Sequence, residues 1–345
     1  MLTSRNIAII GAGAWGTALA IHAARLGLSV RLWARRPELA AALRPGQANE
    51  SFLPGFPLPP GVSAFSDPKE ALAGAALVLW VVPSHVLRGV ARQFRPHLTK
   101  EAVNVSAAKG VEDDTFATMT EILAEEFQGL NQSIGALSGP SFALEVAEGL
   151  PTAVTLAFPD PKVAREVQTL LSAPVFRIYT STDVKGVELG GAMKNVYAIA
   201  AGICDGLRLG LNARAAFLTR ALAEMSRLAA AVGANPMTIS GLSGLGDLLL
   251  TATGDLSRNR RVGLRLGAGE SLEAILANQR EVAEGVRNAR AIWGLAQSKG
   301  LILPTVRETF RVLHEGKSPR RGLVDLLTRR LKEELSPDLF PLEKA

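Results

Sequence analysis

The chain has 345 residues, 48% of them hydrophobic, with a formal charge of +6. That length and apolar content can bury a large core, most simply as two domains, and the single Cys204 excludes a disulfide framework and fits a reducing cytosol. His22, His85, His97 and His314 are scattered without a partner at ligand spacing, so no metal is expected. Nucleic acid is disfavoured too, because most cations lie among acids and only two tyrosines are available for stacking on bases.

In chain order, the apolar run Ile7-Ala8-Ile9-Ile10 predicts a strand, and Gly11-Ala12-Gly13-Ala14-Trp15-Gly16 follows it directly. Thr17, Leu19, Ile21 and Leu26 then read as a helix. Strand, Gly-x-Gly-x-x-Gly and helix in that order make a dinucleotide-binding turn. Gly11 permits the tight turn, Gly13 lets the backbone approach a pyrophosphate, and Gly16 lets the helix pack closely on the sheet. The free N–H groups of the first helical turn face the anion. Two plainer readings compete. Residues 7–24 are almost uncharged, as a signal peptide or membrane span would be, although His22 and the three glycines interrupt them and Arg25 closes them. The other is a glycine turn that holds no ligand.

Residues 29–34 predict the second strand, which ends in Arg35-Arg36. A site selective for NAD places an acid near this point for the ribose 2′-hydroxyl, yet no acid precedes Glu38. Two guanidiniums suit a 2′-phosphate through charge-assisted bonds, which favours NADP(H) over NAD(H). The alternative is a pair of solvated arginines opening a helix. The Pro-rich stretch 54–60 reads as a loop, and residues 76–82 as a strand buried on both faces, stopped by Pro83-Ser84-His85. Residues 102–106 and 134–138 predict further strands, followed by Lys109-Gly110 and Gly139-Pro140-Ser141. In an open parallel sheet, loops at the carboxyl ends of strands lead to one crevice.

Residues 152–157 and 176–179 predict the last strands, and from about Asp183 the pattern turns to long helical segments. The expected architecture is an α/β Rossmann-type, doubly wound NAD(P)-binding domain over residues 1–182 and an all-α substrate and catalytic domain over 183–345.

Three places in the second domain carry chemistry. Lys194 lies in a helix of small and apolar residues, where its ammonium either snorkels to water or occupies a pocket that perturbs it; Gly190-Gly191 just before it would leave space for a ligand. Asp247 follows a glycine-rich turn and shares a helical face with Thr251. It serves a reaction there, or only stabilises a helix N-terminus. Ser257-Arg258-Asn259-Arg260-Arg261 offers hydroxyl, guanidinium and amide groups suited to phosphate oxygens, or forms a solvated basic turn.

Together these segments resemble the soluble bacterial NAD(P)-dependent glycerol-3-phosphate dehydrogenases. The likeness rests on Gly11-x-Gly-x-Trp15-Gly-Thr-Ala-Leu, Ser106-x-x-Lys109-Gly110, Ser138-Gly139-Pro140-Ser141-Phe142-Ala143, Gly191-Ala-Met-Lys194-Asn195, Gly246-Asp247-Leu-x-x-Thr251 and Ser257-Arg258-Asn259-Arg260. They occur in the family's order over essentially the whole chain. The resemblance implies reversible reduction of dihydroxyacetone phosphate to sn-glycerol 3-phosphate for phospholipid synthesis in the cytoplasm, by a homodimer.

By motif match it implies Lys194 as general acid/base, with Lys109, Asn195, Asp247 and Thr251 around the reacting oxygen. Gly139, Ser141, Ser257, Arg258 and Asn259 would hold the substrate together with Lys109, Lys194 and Asp247. The cofactor would be lined by the loop Gly11, Gly13, Ala14, Trp15 and Gly16, and by Arg35, Arg36, Lys109, Ala143, Arg258, Val282 and Glu284. Two departures are minor: Ala14 replaces a frequent family serine, and Ala283 interrupts the usual apolar pair before Glu284.

Negative charge would develop on the carbonyl oxygen, so a protonated Lys194 would both stabilise it and deliver the proton. Lys109 nearby would lower the Lys194 pKa and Asp247 would raise it. The rival readings are a two-domain NADP-dependent hydroxy-acid dehydrogenase, and an NADP-sensing protein that would not need Lys194 with Asp247.

Overall fold

The computed structural model describes residues 5–100, 102–277, 283–331 and 333–334. The chain divides into two compact units, one made of 1–109 and 117–184, the other of 110–116 and 185–345.

In the first unit, runs of branched and aromatic residues form ten strands. They are β1 (Asn6–Ile10), β2 (Ser29–Trp33), β3 (Ala48–Asn49), β4 (Leu53–Pro57), β5 (Val62–Phe65), β6 (Leu77–Trp80), β7 (Val103–Ser106), β8 (Ser133–Ser138), β9 (Thr152–Ala157) and β10 (Phe176–Ser181). Eight of them make one sheet in the order β10-β9-β8-β7-β6-β1-β2-β5. From β5 across to β8 every pairing is parallel. The chain winds outward from β1 through β2 and β5, then returns to the other side of β1 for β6, β7 and β8. That is the doubly wound order of a dinucleotide-binding sheet, and its direction reverses between β1 and β6, where such sheets bind ligands.

Apolar cores cover both faces of the sheet. Ile7, Ile9, Leu32 and Leu79 pack with Leu19 and Ile21 of the helix Ala14–Arg25. Ile10, Val78 and Trp80 pack on the opposite face with Phe94 and Phe127. Residues 7–24 thus supply the strand β1 and most of a helix buried from Gly16 to Ala23, and no helix among the described residues is long and apolar enough to cross a membrane.

Within the first unit, the structure departs from the sequence reading at the Pro-rich stretch and at one side of the sheet. The Pro-rich stretch is not simply a loop: Leu53–Pro57 forms β4, paired antiparallel with β3. Proline is tolerated there because a two-stranded ribbon lying outside the main sheet leaves its N–H positions largely unused. The sheet also stops being parallel at its far side, since β9 runs antiparallel to β8 and β10 parallel to β9.

Every named element of the second unit among its described residues is a helix. Its central helix, Val184–Gly206, is buried continuously from Gly186 to Ile203, as expected of a helix that is apolar on all sides. Arg258–Gly267 crosses it at Gly202, Gly206, Gly263 and Gly267, where the two backbones come into direct contact. Residues 110–116 belong with this unit rather than with the sheet that precedes them. The ring of Phe116 lies against Gly294, where an added Cβ would meet it at 2.6 Å.

Candidate active site

The first unit carries a candidate ligand-binding turn after β1. Gly11 has φ +123°, and a Cβ there would lie 2.9 Å from the Val81 carbonyl carbon. A Cβ on Gly16 would stand 1.8 Å from the Gly11 oxygen, so the helix starts directly against the turn. At Gly13, by contrast, no protein atom lies within 4 Å of a Cβ position, which leaves the backbone open to a ligand. The helix Ala14–Arg25 begins at the next residue with its first N–H groups unpaired within the helix. The Trp15 Nε1 is buried and has no partner among the described residues. An open glycine edge, a helix N-terminus and an orphan donor suit the pyrophosphate of a dinucleotide.

Asn49 holds this turn in place. Its buried Nδ2 donates to the Ala12 carbonyl at 3.0 Å and to Thr17 Oγ1 at 2.8 Å. Sequence reasoning missed this residue, because nothing in the local pattern of β3 ties it to the glycine loop.

Arg35 and Arg36 follow β2, exposed, and neither guanidinium has a hydrogen bond or ion pair among the described residues; the Arg36 carbonyl accepts from the Ala40 N–H at 3.1 Å. At the carboxyl end of β8, the Gly139 carbonyl accepts from Lys109 Nζ and from Ser141 Oγ, each at 3.0 Å. Ala143 opens the helix Ala143–Glu148 just beyond.

In the second unit, Lys194 does not snorkel: it is 8% exposed at the middle of the central helix. Its ammonium donates to Asp247 Oδ1 at 2.8 Å and to Thr251 Oγ1 at 2.7 Å. Thr251 in turn donates to the same carboxylate oxygen at 3.2 Å, which closes a triangle. Asp247 is 1% exposed, so the ammonium offsets the cost of burying its charge. A one-turn π-helical stretch, Leu242–Gly246, sets the start of the helix Asp247–Thr253 that carries both partners. Such turns often mark functional positions.

The basic run divides its work. Ser257 caps the helix Arg258–Gly267, accepting from the Arg260 N–H at 3.2 Å. Arg260 turns to Asp205 at 2.8 Å and to Asp255 at 2.8 Å, so it is a structural cation. Asn259 is buried between Asn195 and Gly285. Desolvation lowers the Arg258 pKa from its ordinary value, and the charge of Glu284 opposes that shift. Glu284 stands in the first turn of the helix Glu284–Ser298, and Val282 lies outside the described residues.

The comparisons with known proteins fit this geometry. The profile of the NAD-dependent glycerol-3-phosphate dehydrogenase N-terminus matches residues 6–164, and that of the C-terminus matches residues 183–323. The chain belongs to this family. A glycerol-3-phosphate dehydrogenase [NAD(P)+] of Citrifermentans bemidjiense is 50% identical over 332 residues, which span 96% of this chain and 99% of the relative. One from Nitratidesulfovibrio vulgaris is 50% identical over 329 residues, spanning 95% of this chain and 100% of the relative. The crystal structure of glycerol-3-phosphate dehydrogenase from Coxiella burnetii superposes with a TM-score of 0.90 at 39% identity, covering 94% of this chain and 99% of that one. The chain is therefore an NAD(P)-dependent oxidoreductase with a Rossmann-type sheet and a helical unit.

Proposed function

We propose how the family's reaction, the reversible reduction of dihydroxyacetone phosphate to sn-glycerol 3-phosphate, is divided among the residues of this chain. The observation that carries the proposal is the closed contact of Lys194 with Asp247 and Thr251. When bound, the nicotinamide supplies the hydride for the ketone carbon. Lys194 gives its proton to the carbonyl oxygen as negative charge gathers there, and takes one back in the reverse direction. Asp247 and Thr251 hold the ammonium in one place, so no reorganisation is needed at the moment of transfer. Lys109 and Asn195 complete the polar surroundings of that oxygen.

The remaining roles follow the two domains, 1–182 for the dinucleotide and 183–345 for substrate and catalysis. Gly11, Gly13, Ala14, Trp15 and Gly16 cradle the pyrophosphate. Arg35 and Arg36 take the 2′-phosphate and so favour NADP(H). Lys109, Ala143, Arg258 and Glu284 complete the cofactor contacts. Gly139, Ser141, Ser257, Arg258 and Asn259 hold the substrate with Lys109, Lys194 and Asp247. The product feeds glycerophospholipid synthesis, and the enzyme works in the cytoplasm as a homodimer that does not bind nucleic acid.

The test is spectrophotometric. Purified protein should oxidise NADPH with dihydroxyacetone phosphate far faster than with a 2-keto acid such as ketopantoate. Faster turnover of the keto acid would favour a hydroxy-acid dehydrogenase, and NADPH binding without turnover would favour a sensor.

A further inference from the structure

We propose that Asn259 is a positioning residue that fixes which end of the Asn195 amide is offered as a donor beside Lys194. The inference rests on the reading of Lys194 as proton donor. A carboxamide is nearly symmetric in shape but opposite in hydrogen bonding at its two ends, so only its partners decide its orientation. Here the deciding partner is a backbone group. The Gly285 N–H donates to Asn259 Oδ1 at 3.0 Å, and a backbone N–H can only donate. The oxygen of Asn259 must therefore face Gly285, and its Nδ2 faces the other way, donating to Asn195 Oδ1 at 2.8 Å.

The constraint passes on. With its oxygen held by Asn259, Asn195 turns its Nδ2 to the opposite side, where the one contact among the described residues is a long one, 3.5 Å to the Gly191 carbonyl. Asn195 is 5% exposed and Asn259 8%, so water does not readily substitute for either partner. A reversed Asn259 would leave the Gly285 N–H facing an amide nitrogen and set two oxygens against each other. The relay thus runs from the start of the helix Glu284–Ser298, through the start of Arg258–Gly267, to the centre of Val184–Gly206. It leaves an under-used N–H on the residue next to Lys194, available to an oxygen that gains charge during reduction.

Asn259→Asp separates this role from simple packing. A carboxylate still accepts from Gly285, but it can now only accept from Asn195, whose amide must turn over and present its oxygen instead. We expect kcat with dihydroxyacetone phosphate to fall by about 10²-fold or more, as when a donor to a developing oxyanion is lost. KM also rises through repulsion of the phosphate, so kcat is the decisive readout. Asn195→Asp, which still accepts from Asn259 but has lost the N–H on its other side, should lose a similar factor in kcat. In an Asn195→Ala background, Asn259→Asp should lower kcat by a much smaller factor than it does in the parent, because coupled residues are not additive. Three results overturn the relay: an unchanged kcat in Asn259→Asp, an unchanged kcat in Asn195→Asp, or an equal loss in both backgrounds. Lys194→Met, assayed alongside, tells the two readings apart. If it keeps full kcat, the proton-donor reading itself fails, whereas its loss of activity beside an active Asn259→Asp overturns the relay alone.

Discussion

Gly202 and Gly263 allow two helices to touch backbone to backbone. A Cβ on Gly263 would stand 1.9 Å from the Ile199 carbonyl oxygen, and one on Gly202 would stand 2.1 Å from that of Arg260. This close crossing brings the first turn of Arg258–Gly267 against the central helix, where Asn259 reaches Asn195. In an open helix, Gly→Ala stabilises by about 0.8–1.0 kcal/mol. Here the opposing atom is a backbone oxygen that cannot rotate away, and overpacking costs typically ~1–3 kcal/mol. Gly263→Ala should therefore lower the urea midpoint. A midpoint equal to or above that of the parent would show that the helices can part without cost.

Lys194 is the second target. Lys194→Met removes the proposed proton donor while keeping an unbranched apolar stem, so kcat should fall by about 10²–10⁴-fold. NADPH binding, followed by quenching of protein fluorescence, should survive. Wild-type turnover in a folded variant would take Lys194 out of the chemistry.

The proposed preference for NADP(H) rests on the two exposed guanidiniums after β2, Arg35 and Arg36. Arg35→Asp should weaken NADPH much more than NADH, because only the former has a 2′-phosphate for the new carboxylate to repel. Equal losses for both cofactors, measured as dissociation constants, would assign the arginines another role.

Stability should depend on pH through His22. Its burial lowers its pKa below the ordinary value; its ring Nε2 contacts the Leu171 carbonyl at 2.7 Å, a bond that opposes the shift, and Arg25 adds to it. The folded state therefore holds a neutral ring, while the unfolded chain takes up a proton near ~6.5. The contribution is whole above that value and is lost as pH falls from there through the lowered folded-state pKa. His314, lowered chiefly by burial, has the same sign. Each group can change the unfolding free energy by at most about 1.4 kcal/mol per pH unit. Urea titrations between about pH 7.5 and 5.5 should show this slope, and His22→Gln should flatten it. An unchanged slope in the variant would mean that the proton uptake lies elsewhere.

Much of the first unit was legible in the sequence because the information is local. A run of branched residues makes a strand, and glycines at fixed spacing make the turn after it. Residues 7–16 therefore announce both β1 and the turn at its carboxyl end. The residue types around Lys194, Asp247 and Asn259 were equally visible as motifs. Their partnerships were not. Lys194 meets Asp247 across 53 residues of chain, and Asn259 meets Asn195 across 64.

Helical periodicity says which face of a helix is buried but not what it is buried against. Only the tertiary packing decided that the lysine is paired rather than snorkelled, that Arg260 serves Asp205, and that Asn49 braces the glycine turn. The same holds for β4, whose prolines disguise a strand, and for residues 110–116, which leave the sheet to join the helices. Such choices depend on which surfaces meet once loop-closure entropy has been overcome, and no local pattern along the chain encodes that meeting.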